Sequence, residues 1–259
     1  SFNKPAASKP SGNKDAQRLE TSKKTGVFAV QNEDGFKLTP AVTAIETLRT
    51  LHVENVGLRE VPALSSLVAL QRLKLPRNLL TAVPSLSALK NLQQIDLSKN
   101  QLSSLPDSFG GMDKLKDANF SSNALSSLPS SLGSCGALRT LDASGNRLSS
   151  LPSSLGKLAA LEDLILANNK LSSLPSSLDG LKRIKRIQVQ NNSLSTLPSG
   201  LLKDTPLVDI NIAGNNIGDP ASISGYDKFL ERNNRKEVQK VDQKVKVGDL
   251  SMGLGTGGL

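Results

Sequence analysis

From residue 48 to residue 217 the apolar residues recur in a fixed order. Successive units begin at Leu48, Leu70, Leu92, Leu115, Leu138, Leu161, Ile184 and Leu207, spaced 22 or 23 residues apart. Each unit reads L-x-x-L-x-L-x-x-N-x-L-x-x-L-P and then x-x-L-x-x-L, with small departures. The L-x-L stretch alternates with period two, which predicts a short strand with its leucines on one side. Asn78, Asn100, Asn123, Asn146, Asn169, Asn192 and Asn215 follow the strands, where the chain must turn inward. An amide there can donate to and accept from backbone groups of neighbouring coils. The Pro of each Leu-Pro fixes φ for the return path. A trailing pair such as Leu155 and Leu158 then closes the coil from the side opposite the strand. No unit can bury its leucines alone, so the units must stack.

The departures from the pattern carry their own expectations. A degenerate unit precedes the eight, with Phe28, Val30, Phe36, Leu38 and Pro40. Val56 stands where the first asparagine belongs, and Ala118 and Ala143 are expected to underfill two strands. Asp204 falls where the preceding unit has Leu181, which predicts looser packing opposite the sheet. Cys135 takes the same position in its own unit and reads as a small buried hydrophobe. In front, residues 13–24 suit a helix stopped by Gly26, with Leu19 as its apolar anchor. Behind, Asp219 and Pro220 suit a helix start. Ile223, Tyr226, Phe229 and Leu230 would form one apolar face over Ile210 and Ile212.

This tandem pattern resembles the leucine-rich repeat family, in its short intracellular type with Leu-Pro in each unit. The resemblance covers residues 48–217 and implies an α/β repeat solenoid: a horseshoe with a concave parallel β-sheet and helical caps. It also implies a non-enzymatic, cytoplasmic scaffold or assembly subunit that binds a protein partner. Two flanking islands, residues 20–28 and 225–232, add a likeness to a small intracellular member. The organisation expected is a basic tail and cap helix over 1–26 and a solenoid over 27–217. A capping helix over 218–235 and a polar, then Gly-rich, tail over 236–259 would follow.

Composition narrows the chemistry. Aromatics make up 3% of the 259 residues, so leucine must carry the burial. One His and one Cys exclude a His/Cys metal cage within one chain, and a single Cys forms no internal disulfide. No cofactor and no small-molecule substrate are expected. The G-x-G-x-x-G match at Gly253–Gly258 lacks the strand and helix that a phosphate loop needs. His52 shares an outward face with Glu54, but no nucleophile is implied nearby. No apolar run of 18 residues is present. A membrane partner is therefore expected only if lipid is attached upstream of Ser1.

The net charge of +9 is uneven, with residues 1–26 at +4 and residues 227–259 at +2. Basic tails raise an alternative, a nucleic-acid or anionic-surface binder. No aromatic is interleaved with the tail cations for stacking, which disfavours nucleic acid. The outward strand positions are the richer source. They give a basic zone of Arg72, Lys74, Arg77 and Lys99, an acidic middle of Asp117, Asp142 and Asp163, and a second basic zone that includes Arg186. Ile165 is expected as an exposed apolar anchor among the acids. Alternating zones suit a protein surface with matching charges better than a continuous nucleic-acid track.

Overall fold

The computed structural model describes residues 12–233. Helix α1 (Gly12–Thr25) leads into β1 (Val27–Gln31), a single helical turn α2 (Pro40–Thr43), and β2 (Thr50–Glu54). Seven three-residue strands follow, one per coil: β3 (Arg72–Lys74), β4 (Gln94–Asp96), β5 (Asp117–Asn119), β6 (Thr140–Asp142), β7 (Asp163–Ile165), β8 (Arg186–Gln188) and β9 (Asp209–Asn211). All nine lie in one parallel sheet in sequence order. The register is constant, so Leu51, Leu73, Ile95, Ala118, Leu141, Leu164, Ile187 and Ile210 stand side by side. Opposite the sheet, three short 3-10 turns stack at Ser130–Ser134, Ser153–Lys157 and Ser176–Gly180.

The leucines form one continuous core along the array. The asparagines stitch it together. Asn146 is buried and donates through Nδ2 to Phe120 O at 3.0 Å and Ala143 O at 3.1 Å. Its Oδ1 accepts from Leu125 N at 3.0 Å. Asn78, Asn100, Asn123, Asn169, Asn192 and Asn215 donate to the same carbonyl positions of their own and the preceding coil. Val56 fills the missing first rung as a fully buried hydrophobe.

The units that depart from the pattern differ in how they pack. Phe120, fully buried two residues after Ala118, holds in its coil the inward position that Ala143 holds in the next. Phe120 meets Phe109 edge-on, with ring centroids 5.9 Å apart. Packing opposite the sheet does not loosen at Asp204: the chain makes an extra turn, with Asp204 N bonded to Gly200 O, and buries Leu202 instead. Cys135 is fully buried, and burial followed by the nearby Asp113 pushes its thiol up to about 11.

The rear cap also differs from one continuous helix. Asp219 caps a short 3-10 turn (Pro220–Ser222), its carboxylate accepting from Ala221 N at 2.9 Å. The helix proper covers residues 226–233. Gly225 breaks the two apart at φ +81°, where a β-carbon would fall 2.8 Å from Lys203 N. Ile223 and Phe229 are buried and Tyr226 packs on the core, but Leu230 is 41% exposed. Ile210 and Ile212, fully enclosed in equivalent positions of earlier coils, are only partly covered. The front cap is tied by charge: Arg18 bonds Glu33 at 2.5 Å and Lys14 reaches the same carboxylate at 3.1 Å. Those two cations hold the Glu33 carboxyl down at about 2. The Gly-rich segment, with its G-x-G-x-x-G match, lies outside the described residues.

Candidate functional site

Two outward columns run along the sheet. One is Thr50, Arg72, Gln94, Asp117, Thr140, Asp163, Arg186 and Asp209, and the other is His52, Lys74, Asp96, Asn119, Asp142, Ile165, Gln188 and Asn211. From β3 onward the strands that carry them are three residues long, each interrupted at once by a turn. Asp96, Asn119 and Asp142 make that turn, their Oδ1 atoms accepting from the backbone N–H two residues on, at Ser98, Ser121 and Ser144. Asp142 also takes the Ser144 hydroxyl at 2.7 Å. These short polar side chains hold an Asx turn, so Asp142 belongs to the scaffold as much as to the surface. The Asp/Asn-x-Ser spacing is visible in the sequence, where Asp142 counts only as a surface charge.

The acidic middle and the second basic zone meet each other. Arg186 grips Asp163 on the adjacent strand, Nε to Oδ1 at 2.7 Å and Nη2 to Oδ2 at 2.9 Å. Lys185 pairs with Glu162 beside it at 2.5 Å. The pairing with Asp163 holds the Arg186 guanidinium above its usual value, and Lys185 holds Glu162 below its own. Arg186 and Asp163 are thus neutralised within the chain. Ile165 is half-buried between Asp142 and Gln188, so it is not the exposed anchor expected.

The first basic zone is different. Arg72 and Lys99 are exposed and Lys74 half-buried, and among the described residues none of the three forms an ion pair. Arg77 approaches Glu54 only at 3.7 Å. The same Glu54 also takes His52 Nε2 at 3.1 Å, and Gln31 lies 3.1 Å from His52 Nδ1. Asp117, exposed on β5, is likewise free of any ion pair among the described residues.

A third column escaped the sequence reading. The residue before each ladder position adopts positive φ in coil after coil: Asn32, Asn55, Arg77, Lys99, Ser122, Gly145, Asn168, Asn191 and Gly214. Asparagine and glycine take this left-handed conformation readily, and other residues pay about 1–2 kcal/mol. The asparagines add a bond between coils, Asn55 to Asn32 at 2.8 Å and Asn191 to Asn168 at 2.9 Å. Arg77 and Lys99 sit in this column at φ 56° and 55°. Two grooves, of about 340 and 490 Å³, lie at the front of the array and touch none of the nine candidate residues.

Family models place the pattern independently. Residues 137–180 match the model for two copies of leucine-rich repeats, and residues 91–112 match the single leucine-rich repeat. The chain is a leucine-rich repeat solenoid. Its fold is similar to the solved structure of a leucine-rich repeat protein from Leptospira interrogans, at 28% identity and a TM-score of 0.70. That likeness covers 75% of this chain and 50% of the other. An internalin from Listeria monocytogenes shares the fold at 21% identity and a TM-score of 0.61, over 75% of this chain and 57% of that one. The solenoid therefore spans about half the length of the solved structures it matches. The comparison with curated proteins gave no match. Among the described residues, no helix is long and apolar enough to cross a membrane.

Proposed function

We propose that this leucine-rich repeat solenoid is a non-enzymatic scaffold or assembly subunit that binds a protein partner on the outward face of its sheet. Leucine-rich repeat domains generally mediate protein–protein interaction, and the fold leaves two outward columns of side chains free of core duty. One observation carries the choice of contact zone: among the described residues Arg72, Lys74 and Lys99 have no ion-pair partner, whereas Arg186 and Asp163 neutralise each other. The partner contact accordingly centres on Arg72, Lys74, Arg77 and Lys99, with Asp117 at its border. The islands flanking the array resemble leucine-rich repeat-containing protein 57, and that likeness supports a cytoplasmic setting. The tail-based alternative draws less support, since Lys14, Arg18 and Lys23 of the front helix are occupied by Glu33 and Glu20.

The test is affinity capture with wild type and an Arg72→Glu, Lys74→Glu double variant, followed by mass spectrometry and melting curves. Neither side chain faces the core, so the variant should melt like wild type and lose the partner. Equal recovery by both proteins would move the contact off this face.

A further inference from the structure

Glycine or asparagine fills six of the nine positions in the left-handed column, and Ser122 a seventh. Two neighbouring coils instead carry long cations there, Arg77 and Lys99, on a backbone that strains both. Neither cation makes the close side-chain bond between coils that the asparagines make. Among the described residues Lys99 makes no side-chain bond, and Arg77 reaches only Glu54, at 3.7 Å. The asparagines of the same column do bond from coil to coil. Strain met by one long ion pair at Arg77 and by none at Lys99 among the described residues points outward.

We propose that Arg77 and Lys99 form a cationic ridge that, with Lys74, recognises an extended acidic segment of the protein partner; this rests on the sheet-face reading above. Parallel strands bring successive coils to about 5 Å, inside one Debye length at physiological salt, so the fields of the two cations add. Asp96, the carboxylate in register beside Lys74, has Oδ1 engaged by Ser98 N–H at 3.0 Å. The ridge is bounded: Ser122 and Gly145 continue the column without charge, and Glu54 closes the other end. A site two coils wide fits two or three carboxylates of a peptide. It does not fit a nucleic-acid track, which needs continued cations and stacking rings. The outward columns from β2 to β9 contain no Phe, Tyr or Trp.

The ridge is tested with a labelled twelve-residue peptide of alternating Glu and Ser, its binding followed by fluorescence anisotropy at physiological salt. Three double variants are compared with wild type. Arg77→Asn with Lys99→Asn removes charge and strain together, and should melt about 2–6 °C higher while binding the peptide roughly three- to tenfold more weakly. Arg77→Gln with Lys99→Gln keeps the strain, so it should lose the same affinity without the rise in melting temperature. Arg72→Glu with Lys74→Glu should abolish binding. No measurable binding to wild type overturns the ridge, and so does wild-type affinity in both the Asn and Gln variants. Tighter binding of a single-stranded oligonucleotide at the same residues overturns the peptide assignment. Loss of a captured partner by the Glu variant but not by the Asn or Gln variants rejects the ridge while leaving the sheet-face reading standing.

Discussion

Gly156 lies so close to Ser177 in the next coil that a β-carbon on it would stand 2.1 Å from the serine carbonyl oxygen. Gly133 meets Ser154 in the same way, at 2.3 Å. The stacked turns opposite the sheet therefore approach backbone to backbone. That contact sets how closely the coils sit on this side, and leucine packing alone does not enforce it.

Alanine at either position must push two coils apart. Gly156→Ala and Gly133→Ala should each destabilise by about 1–3 kcal/mol, the usual range for overpacking. Gly136→Ala, with nothing within 4 Å of its added carbon, is the control and should be near neutral. Urea midpoints measure the difference, and equal losses at all three sites would refute close approach as the cause.

The asparagine ladder makes a second expectation. Asn146→Ala leaves Leu125 N–H, Phe120 C=O and Ala143 C=O without their amide. The loss should be roughly 1–3 kcal/mol, with an unchanged denaturant slope. A midpoint equal to wild type would mean that water replaces the amide without penalty.

Acid should release the front cap. Glu33 is held at about 2, below its ordinary value of 4.5, by Arg18 first and Lys14 second. A depressed carboxyl stabilises the folded form fully above 4.5, and the contribution fades as pH falls through about 2. Amide exchange in α1 should therefore speed up over that window in wild type. In Glu33→Gln it should already be fast at neutral pH, and identical profiles in the two proteins would contradict the tie.

Asp179 should behave in the opposite sense. Burial, aided by the neighbouring Asp204, raises its carboxyl above 3.8 despite the Gly200 N–H that it accepts at 3.2 Å. Its other oxygen, Oδ1, is buried without a hydrogen-bond partner. A raised carboxyl favours the fold while protonated, so stability is lost as pH climbs from 3.8 through the folded value. Asp179→Asn should thus become more stable relative to wild type as pH rises across that range. A constant difference between the two melting temperatures from pH 3 to 7 would show that the charge is harmless.

Much of this architecture was legible because one rule is repeated eight times. The spacing from Leu48 to Leu207 places each strand, and the following asparagine marks where each coil turns, so register and core follow from counting. What escaped depends on contacts between coils that no single unit displays. The left-handed column at Arg77 and Lys99 is concealed by long polar side chains that look ordinary on a surface. The close approach at Gly156 looks in sequence like any loop glycine. In the sequence Asp142 and Arg186 look like free charges, although one caps a turn through Ser144 and the other is clasped by Asp163. At Asp204 the repeat spacing misplaces the apolar residue, because the chain buries Leu202 two residues earlier.

The constant parallel register makes the number of coils an adjustable dimension. Excising residues 161–183 would bring Arg186, Ile187 and Gln188 alongside Thr140, Leu141 and Asp142, the places now held by Asp163, Leu164 and Ile165. Asn192 would inherit the bonds that Asn169 makes to Ala143 O and Leu148 N. The core and the ladder would close over the cut, yet Arg186 would face a threonine instead of its carboxylate. Duplication and loss of whole units can therefore rewrite the outer face of such a chain in single steps while its interior stays the same.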